Sequence, residues 1–346
     1  MNFLVISDLF VKREVIDYEI NKIFNSKYNI NFDYISYDWA TNPFQNDDEI
    51  KEYFGSEDEI IKRIGNVDIL LVHCAPVNEK ILSNAKNLKA IGVIRSGPLN
   101  VNINAATEKG IPVFNAPGRN ADSVVEFEIG LMITVLRRII EANNDIKKGI
   151  WRFDIYKYES CDYALSSKVV GIVGLGNIGK KLSLMLSNFG TKIYSYDPYV
   201  DENTMAKYKA KKINKLENLL ELSDIVTIKS RLTPETKNIA DLNFFKKMKK
   251  DALFINTARG GLVNYKDLYY ALKNNLIKNA AIDVYDVEPI EKDNPLLHLD
   301  NVTLTPHIAG ADKNSVHNGV RMVVNDIKNF LDGKKTNNCL NPEVFN

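Results

Sequence analysis

Apolar residues come in short runs separated by helix-like patterns along the first third of the chain. Runs at Phe3–Ile6, Ile30–Tyr37, Ile69–His73, Lys89–Ile94 and Pro112–Asn115 read as strands, with helical periodicity between them, notably at Arg13–Phe24 and Glu57–Ile64. Strands alternating with helices predict a parallel sheet covered on both faces. Ala116-Pro117-Gly118 breaks the pattern. Residues Asn120–Lys147 then read as one long, mostly apolar helix, with Asp122 or Ser123 as its cap.

A second series begins at Val169. Its strands are Val169–Val173, Lys192–Tyr196, Ile225–Lys229, Ala252–Asn256, Ala280–Val284 and Val302–Thr305. Beyond Pro306, Ser315–Leu331 has helical periodicity and stops before Gly333, a residue suited to ending helices. A helix placed after the last strand of the second series is expected to cross back and pack on the first. The fold class predicted is therefore α/β, with two doubly wound parallel-sheet domains around an interdomain cleft. The first domain would combine residues 1–117 with 311–346, the second would hold 118–310, and two crossovers would act as the hinge.

Composition narrows the function. At 346 residues the chain is long enough for two domains. Its 45 basic and 44 acidic residues nearly cancel, so neither nucleic acid nor an anionic membrane is an expected partner. No apolar stretch approaches the roughly 18 residues of a membrane span. Met1-Asn2-Phe3-Leu4-Val5-Ile6 runs directly into a first strand rather than a targeting segment. Cys74, Cys161 and Cys339 are odd in number and widely spaced, so neither disulfides nor a metal site is expected. A cytoplasmic protein is the expectation.

Lys168–Asp197 carries the sharpest local signal. An apolar strand meets Gly174-Leu175-Gly176-Asn177-Ile178-Gly179, a helical pattern follows, and a second strand ends in an acid. In a dinucleotide site Gly174 permits the tight turn, Gly176 lets the backbone approach a pyrophosphate, and Gly179 lets helix and strand pack closely. The helix opening at Asn177 and Ile178 offers unpaired N–H groups to the phosphates. Asp197 can accept bonds from both ribose hydroxyls and would repel a 2′-phosphate, so the cofactor expected is NAD.

Three segments fall where strands of the second sheet end, the place where ligands bind in such folds. They are Asn256-Thr257-Ala258-Arg259-Gly260-Gly261, Asp283-Val284-Tyr285-Asp286-Val287-Glu288-Pro289 and Thr305-Pro306-His307-Ile308-Ala309-Gly310. Interconverting a 2-hydroxy acid and a 2-keto acid needs a proton donor and acceptor, a carboxylate to orient it, and a guanidinium to clamp the substrate carboxylate. His307, Glu288 and Arg259 supply one of each. Taken singly, Arg259 reads equally as a surface arginine, Glu288 as a helix-start acid and His307 as a loop histidine; three together at consecutive strand ends point to chemistry.

With these motifs in place, the chain resembles the D-isomer-specific 2-hydroxyacid dehydrogenases, closest to the phosphoglycerate-dehydrogenase-like branch. The resemblance rests on GLGNIG with Asp197, LTPET (Leu232–Thr236), NTARGGLVN (Asn256–Asn264), DVYDVEP (Asp283–Pro289) and TPHIAG (Thr305–Gly310). It implies a Rossmann NAD-binding domain and a flavodoxin-like substrate domain. It also implies Arg259 as substrate clamp, His307 as acid/base and Glu288 as its partner. Asp283 would bond the nicotinamide amide, with Ser230, Arg231, Thr257, Ala258, Arg259, His307 and Gly310 also lining the cofactor site. On the substrate side it implies His73, Cys74, Ala75, Arg95, Ser96 and Gly97, with Ser96-Gly97 similar to the loop whose N–H groups hold the substrate carboxylate. Arg95 and Arg119 flank these loops, and one of them is a candidate to hold a second anionic group.

Two positions depart from the family pattern. His73 stands where phosphoglycerate dehydrogenases often carry arginine, and Lys229-Ser230-Arg231 stands where many members have a histidine and a proline. Glu288 favours hydroxy-acid chemistry over formate oxidation, which needs no proton step. A non-catalytic NAD(H)-sensing scaffold of the same fold is the alternative. The resemblance further implies a homodimer through the NAD-binding domain, and the aromatic segment Ile150–Tyr163 suits such an interface.

Overall fold

The computed structural model describes residues 1–24, 28–40 and 44–345. The chain divides into two compact units, residues 1–120 with 312–346, and residues 121–311.

Unit 1 runs β1 (Asn2–Ser7), α1 (Arg13–Phe24), β2 (Asn31–Ser36), α2 (Glu57–Ile64), β3 (Ile69–Val72), α3 (Glu79–Asn84), β4 (Ala90–Val93), α4 (Ile103–Glu108) and β5 (Val113–Phe114). Its parallel sheet has the order β2-β1-β3-β4-β5, a flavodoxin-like winding. Central strands β3 and β4 are buried at every position because helices cover both faces, whereas edge strand β2 is buried at only one. The start of α2 follows from Ser56-Glu57-Asp58-Glu59, where Ser56 Oγ accepts from the Glu59 N–H at 3.3 Å.

Unit 2 continues with α5 (Ala121–Leu136), α6 (Ile139–Lys147), β6 (Val169–Val173), α7 (Asn177–Asn188), β7 (Lys192–Tyr196), α8 (Glu202–Lys207), β8 (Lys211–Lys212), α9 (Leu216–Leu222), β9 (Ile225–Ile228), α10 (Leu242–Lys247), β10 (Leu253–Asn256), α11 (Tyr265–Lys273), β11 (Asn279–Ile282) and β12 (Val302–Leu304). The sheet order is β12-β11-β10-β9-β6-β7-β8, the doubly wound Rossmann arrangement. The chain then returns to unit 1 as α12 (Lys313–Leu331), whose Val316, Val320, Val323, Val324 and Ile327 pack with Phe3, Val5, Ile16 and Ile20.

Three details differ from the pattern-based expectation. The helix expected over 120–147 is interrupted: Arg138 adopts φ +51°, a left-handed conformation that ends α5 and restarts the chain as α6. Its guanidinium pairs with Glu141 in the first turn of the new helix, Nε and Nη2 each donating to one carboxylate oxygen at 2.7 Å. Neither Asp122 nor Ser123 caps α5, since the helix already begins at Ala121; Asp122 lies in its first turn. The second sheet also gains the edge strand β8, a lysine pair whose polarity masks it in a hydrophobicity pattern.

Candidate active site

The glycine turn of unit 2 is built around close backbone approach. Gly174 has φ +95°, and a Cβ there would stand 2.7 Å from the Ser230 nitrogen. A side chain is excluded by both torsion and space. The winding of the sheet reverses between β6 and β9, so Gly174 and Ser230 sit together at the topological switch point. Asp197, at the end of β7, is fixed by two backbone donors, Leu175 N–H to Oδ2 at 2.8 Å and Tyr199 N–H to Oδ1 at 2.9 Å. Each oxygen keeps a further acceptor position.

The three strand-end segments meet as follows. Glu288 Oε1 accepts from the Tyr285 N–H at 2.9 Å, and Oε2 lies 2.7 Å from His307 Nδ1. An ionised carboxylate only accepts, so Nδ1 carries the proton and Nε2 is the nitrogen left for chemistry. Partial burial works against the charged imidazolium, but the Glu288 bond and charge outweigh it, and the His307 pKa is raised. The same pairing overcomes desolvation at Glu288 and holds its carboxyl below the usual range. His307 itself adopts φ +53°. Such strained conformations persist where surrounding structure enforces them. Here Asp283 does so, accepting from Thr305 Oγ1 (2.6 Å), Ile308 N–H (2.9 Å) and Ala309 N–H (2.9 Å). Three of its roughly four acceptor positions are thus filled by the loop that carries His307. Arg259 is exposed, its Nη1 donating to the Ala258 carbonyl at 2.7 Å. Gly260 beside it lets this turn press against the neighbouring strand end: a Cβ there would lie 1.8 Å from the Tyr285 carbonyl oxygen.

Residues 129–309 match the family model described as the NAD binding domain of D-isomer specific 2-hydroxyacid dehydrogenase. The chain belongs to the D-isomer specific 2-hydroxyacid dehydrogenases. It is 36% identical over 287 residues to a D-3-phosphoglycerate dehydrogenase of Methanocaldococcus jannaschii, covering 83% of this chain but 54% of that protein, so the chain spans about half the relative's length. A glyoxylate reductase of Thermofilum pendens is 36% identical over 298 residues, 86% of this chain and 88% of its own. A crystal structure of a protein from Thermus thermophilus matches with a TM-score of 0.80 at 25% identity, over 98% of this chain and 100% of that one.

The start of α7 fits the NAD that this dehydrogenase family binds. Gly176 is its N-cap, with no side chain bonded to the helix N–H groups. A Cβ on Gly176 would meet nothing within 4 Å, leaving open room for a pyrophosphate. Ser230 Oγ donates to the Val173 carbonyl at 3.2 Å, and Arg231 is exposed beside it. Thr257 is engaged from below: Lys229 Nζ donates to its hydroxyl at 2.6 Å, and the hydroxyl donates to Glu128 Oε2 at 2.9 Å. Lys229 and Glu128 are themselves paired, with side chains 1% and 0% exposed. This buried cluster escaped the sequence reading, although a glutamate amid the apolar residues of α5 was its signal.

In unit 1, His73, Cys74, Ala75, Arg95, Ser96 and Gly97 all follow strand ends of the same sheet. Ser96 Oγ donates to the Ala116 carbonyl at 3.0 Å. Arg95 is already paired, to the Glu52 carboxylate, to the Glu52 carbonyl at 3.0 Å and to Asn100 Oδ1 at 3.4 Å. Arg119 donates to the Ser315 carbonyl at 3.2 Å and hydroxyl at 3.4 Å. Burial and the nearby Arg95 charge lower its pKa to about 10. Asp8, absent from the sequence-level candidates, lies 2.7 Å from His73 Nδ1. One ligand atom from each of Asp8, His73 and Cys74 lies within 4.8 Å of the others. The chemistry disfavours a cation: burial pushes the Cys74 thiol up to about 12, away from the thiolate a metal needs, and two arginines stand near.

Proposed function

We propose that this protein interconverts a D-2-hydroxy acid and a 2-keto acid with NAD. The observation that carries this reading is the Glu288–His307 pair, poised beside the Arg259 turn within the NAD-binding unit of the family. NAD(H), when bound, supplies or accepts the hydride. The chain's own residues do the rest. Arg259 clamps the substrate carboxylate and polarises the carbonyl, and His307 Nε2 gives the carbonyl oxygen its proton during reduction. Glu288 holds the ring through Nδ1 and favours its protonated form. The unpaired cysteines suit a reducing compartment and support a cytoplasmic enzyme. No helix among the described residues is long and apolar enough to cross a membrane.

The test is NADH oxidation against a panel of small, branched, aromatic and phosphorylated 2-keto acids. Turnover of at least one is expected, with NADH preferred over NADPH by at least roughly tenfold, the scale of a charged hydrogen bond. Asp197→Ala should erode that preference. Equal kinetics with both cofactors would remove Asp197 from the role, and quenching of cofactor fluorescence without turnover of any acid would favour a sensing scaffold.

We further infer a homodimer through unit 2. In residues 150–163 the rings do not cover their own chain's core: Phe153 is 78% and Tyr156 93% exposed, with Trp151, Tyr158 and Tyr163 also open. Arg152 ties the segment to α6 by bonds of 2.7 Å to Glu141 and Asp145 and braces it internally by one of 2.7 Å to Asp154, so the aromatic area is presented in a fixed shape. Such apolar exposure suits an interface. Light scattering should show about twice the 39.2 kDa chain mass, and Phe153→Asp with Tyr156→Asp should shift the protein to monomer. A chain-mass species at micromolar concentration in the parent would refute the dimer.

A further inference from the structure

Lys229 and Glu128 form a buried ion pair that the reaction outlined above does not use. Taking two charges out of water is costly, and apolar residues of similar volume commonly serve stability as well or better. Here the cost is not fully offset, because Glu128 Oε1 is buried without a hydrogen-bond partner. Stability alone gives no reason for such a pair.

Its placement does. Lys229 directly follows β9 and Thr257 directly follows β10, and the register sets Ile228 opposite Asn256. The two residues therefore stand side by side at the carboxyl end of the sheet, and Glu128 reaches them from α5. Lys229 Nζ donates to the Thr257 hydroxyl at 2.6 Å, and that hydroxyl donates to Glu128 Oε2 at 2.9 Å. A hydroxyl has one proton. The carboxylate takes it while the ammonium holds the oxygen, so two charges lock the Thr257 side chain. Lysine suits this double contact, since three donors at the tip of a flexible stem reach carboxylate and hydroxyl together. A neutral histidine, the residue type many family members carry in this turn, has a single N–H to give.

Thr257 opens the turn that carries Arg259. Asn256 Oδ1 accepts from the Ala258 N–H at 3.0 Å, and its Nδ2 donates to the Arg259 carbonyl at 2.9 Å. Gly260 presses against the Tyr285 carbonyl on the other side. The backbone around Arg259 is thus pinned from both directions, and the Thr257 hydroxyl anchors it to α5 and β9. We propose that Glu128 and Lys229 are positioning residues that act through Thr257 on Arg259, holding its guanidinium where it clamps the substrate carboxylate. The proposal rests on the functional reading above and on the role given there to Arg259. Neither residue touches the reacting atoms. Their effect arises because an exposed, flexible side chain is only as well placed as the backbone that launches it.

The experiment compares Thr257→Val, Thr257→Ser and the double variant Glu128→Met with Lys229→Met. Each is assayed at saturating NADH with the best 2-keto acid of the panel above and with its primary amide, which lacks the carboxylate charge. Thr257→Val keeps the volume and leaves Lys229 and Glu128 paired with each other. It should lower kcat/KM for the acid by at least roughly tenfold, within the range that misplacing a clamping group costs. The preference for acid over amide should fall with it. The double variant should behave alike, and Thr257→Ser, which restores the hydroxyl, should keep the parent's values. A role in stability alone would lower acid and amide turnover together. An unchanged acid-to-amide ratio in Thr257→Val, or a Thr257→Ser as impaired as Thr257→Val, overturns the inference. So does a Thr257→Val that no longer unfolds cooperatively, since the hydroxyl would then serve the fold rather than the clamp. The parent decides the underlying reading separately. Failure of every keto acid with NADH still bound overturns the dehydrogenase reading, and equal turnover of acid and amide removes Arg259 as the clamp.

Discussion

His307→Ala should lower turnover by roughly a hundredfold or more, the usual scale of general acid–base catalysis, while leaving NADH binding nearly intact. In the proposed reaction the ring transfers a proton from Nε2, and the glycine turn and Asp197 are separate from it. The sharper result concerns pH. The proposed reduction uses protonated His307, and the Glu288 bond and charge overcome desolvation to raise its pKa. Activity in the reductive direction should therefore persist above the range of an unpartnered histidine, about 6.5. Glu288→Gln should move the alkaline limb to lower pH and cost less in acid than in alkali. The stability linkage has the matching sign. With a raised folded pKa, the His307 contribution is full below about pH 6.5 and is lost as pH rises through the folded value. Glu288, with a lowered folded pKa, contributes above the ordinary carboxylate range and loses that contribution on acidification. A Glu288→Gln profile of kcat against pH that superimposes on the parent's would leave the pair without a catalytic role.

The second large effect is expected at Glu128. Its carboxylate is the partner of Lys229 in a site where both side chains are essentially closed to water, and its Oε1 has no hydrogen-bond partner. Glu128→Ala strands the Lys229 ammonium in the core. Removing one partner of such a pair costs about 3–5 kcal/mol, because the remaining charge loses its compensation. For a unit of this size that corresponds to a fall in Tm on the order of 10 °C. The double variant Glu128→Met with Lys229→Met removes both charges and should recover most of the loss, since apolar replacement of a buried pair is often neutral or stabilising. Thermal unfolding of the three proteins decides the matter. Equal Tm values for Glu128→Ala and the double variant would show that Lys229 is not held by this charge. Thr257 loses its carboxylate acceptor and its lysine donor in the double variant, so a weaker affinity for NADH is expected there even where stability returns.

Much of the fold was legible because its signals are local. The periodicity that marks Arg13–Phe24 and Glu57–Ile64 produces helices with those bounds, since amphipathic spacing and, at Ser56, a capping side chain act within a few residues. The glycine turn and its acid are likewise a short-range device. Where local signals compete, sequence reading fails: nothing in Leu136-Arg137-Arg138-Ile139 announces a left-handed residue, and the helix expected to be continuous breaks there. The edge strand Lys211–Lys212 was missed because it pairs by backbone hydrogen bonds while its side chains carry no apolar pattern.

By itself the sequence determined the two α/β units, the dinucleotide motif, and the three residue types at successive strand ends. Each depends on torsions, spacing or side-chain chemistry within one segment. Only the tertiary structure decided the partners. Asp8 and His73 are 65 residues apart and Glu128 and Thr257 are 129 apart, and each pair is joined by packing rather than by any local pattern. It also decided that Arg95 is already neutralised by Glu52 and that the aromatic rings of residues 150–163 face outward. Burial sets whether a charge must be paired and whether a histidine stays neutral, and burial is a property of the assembled fold that one segment cannot carry.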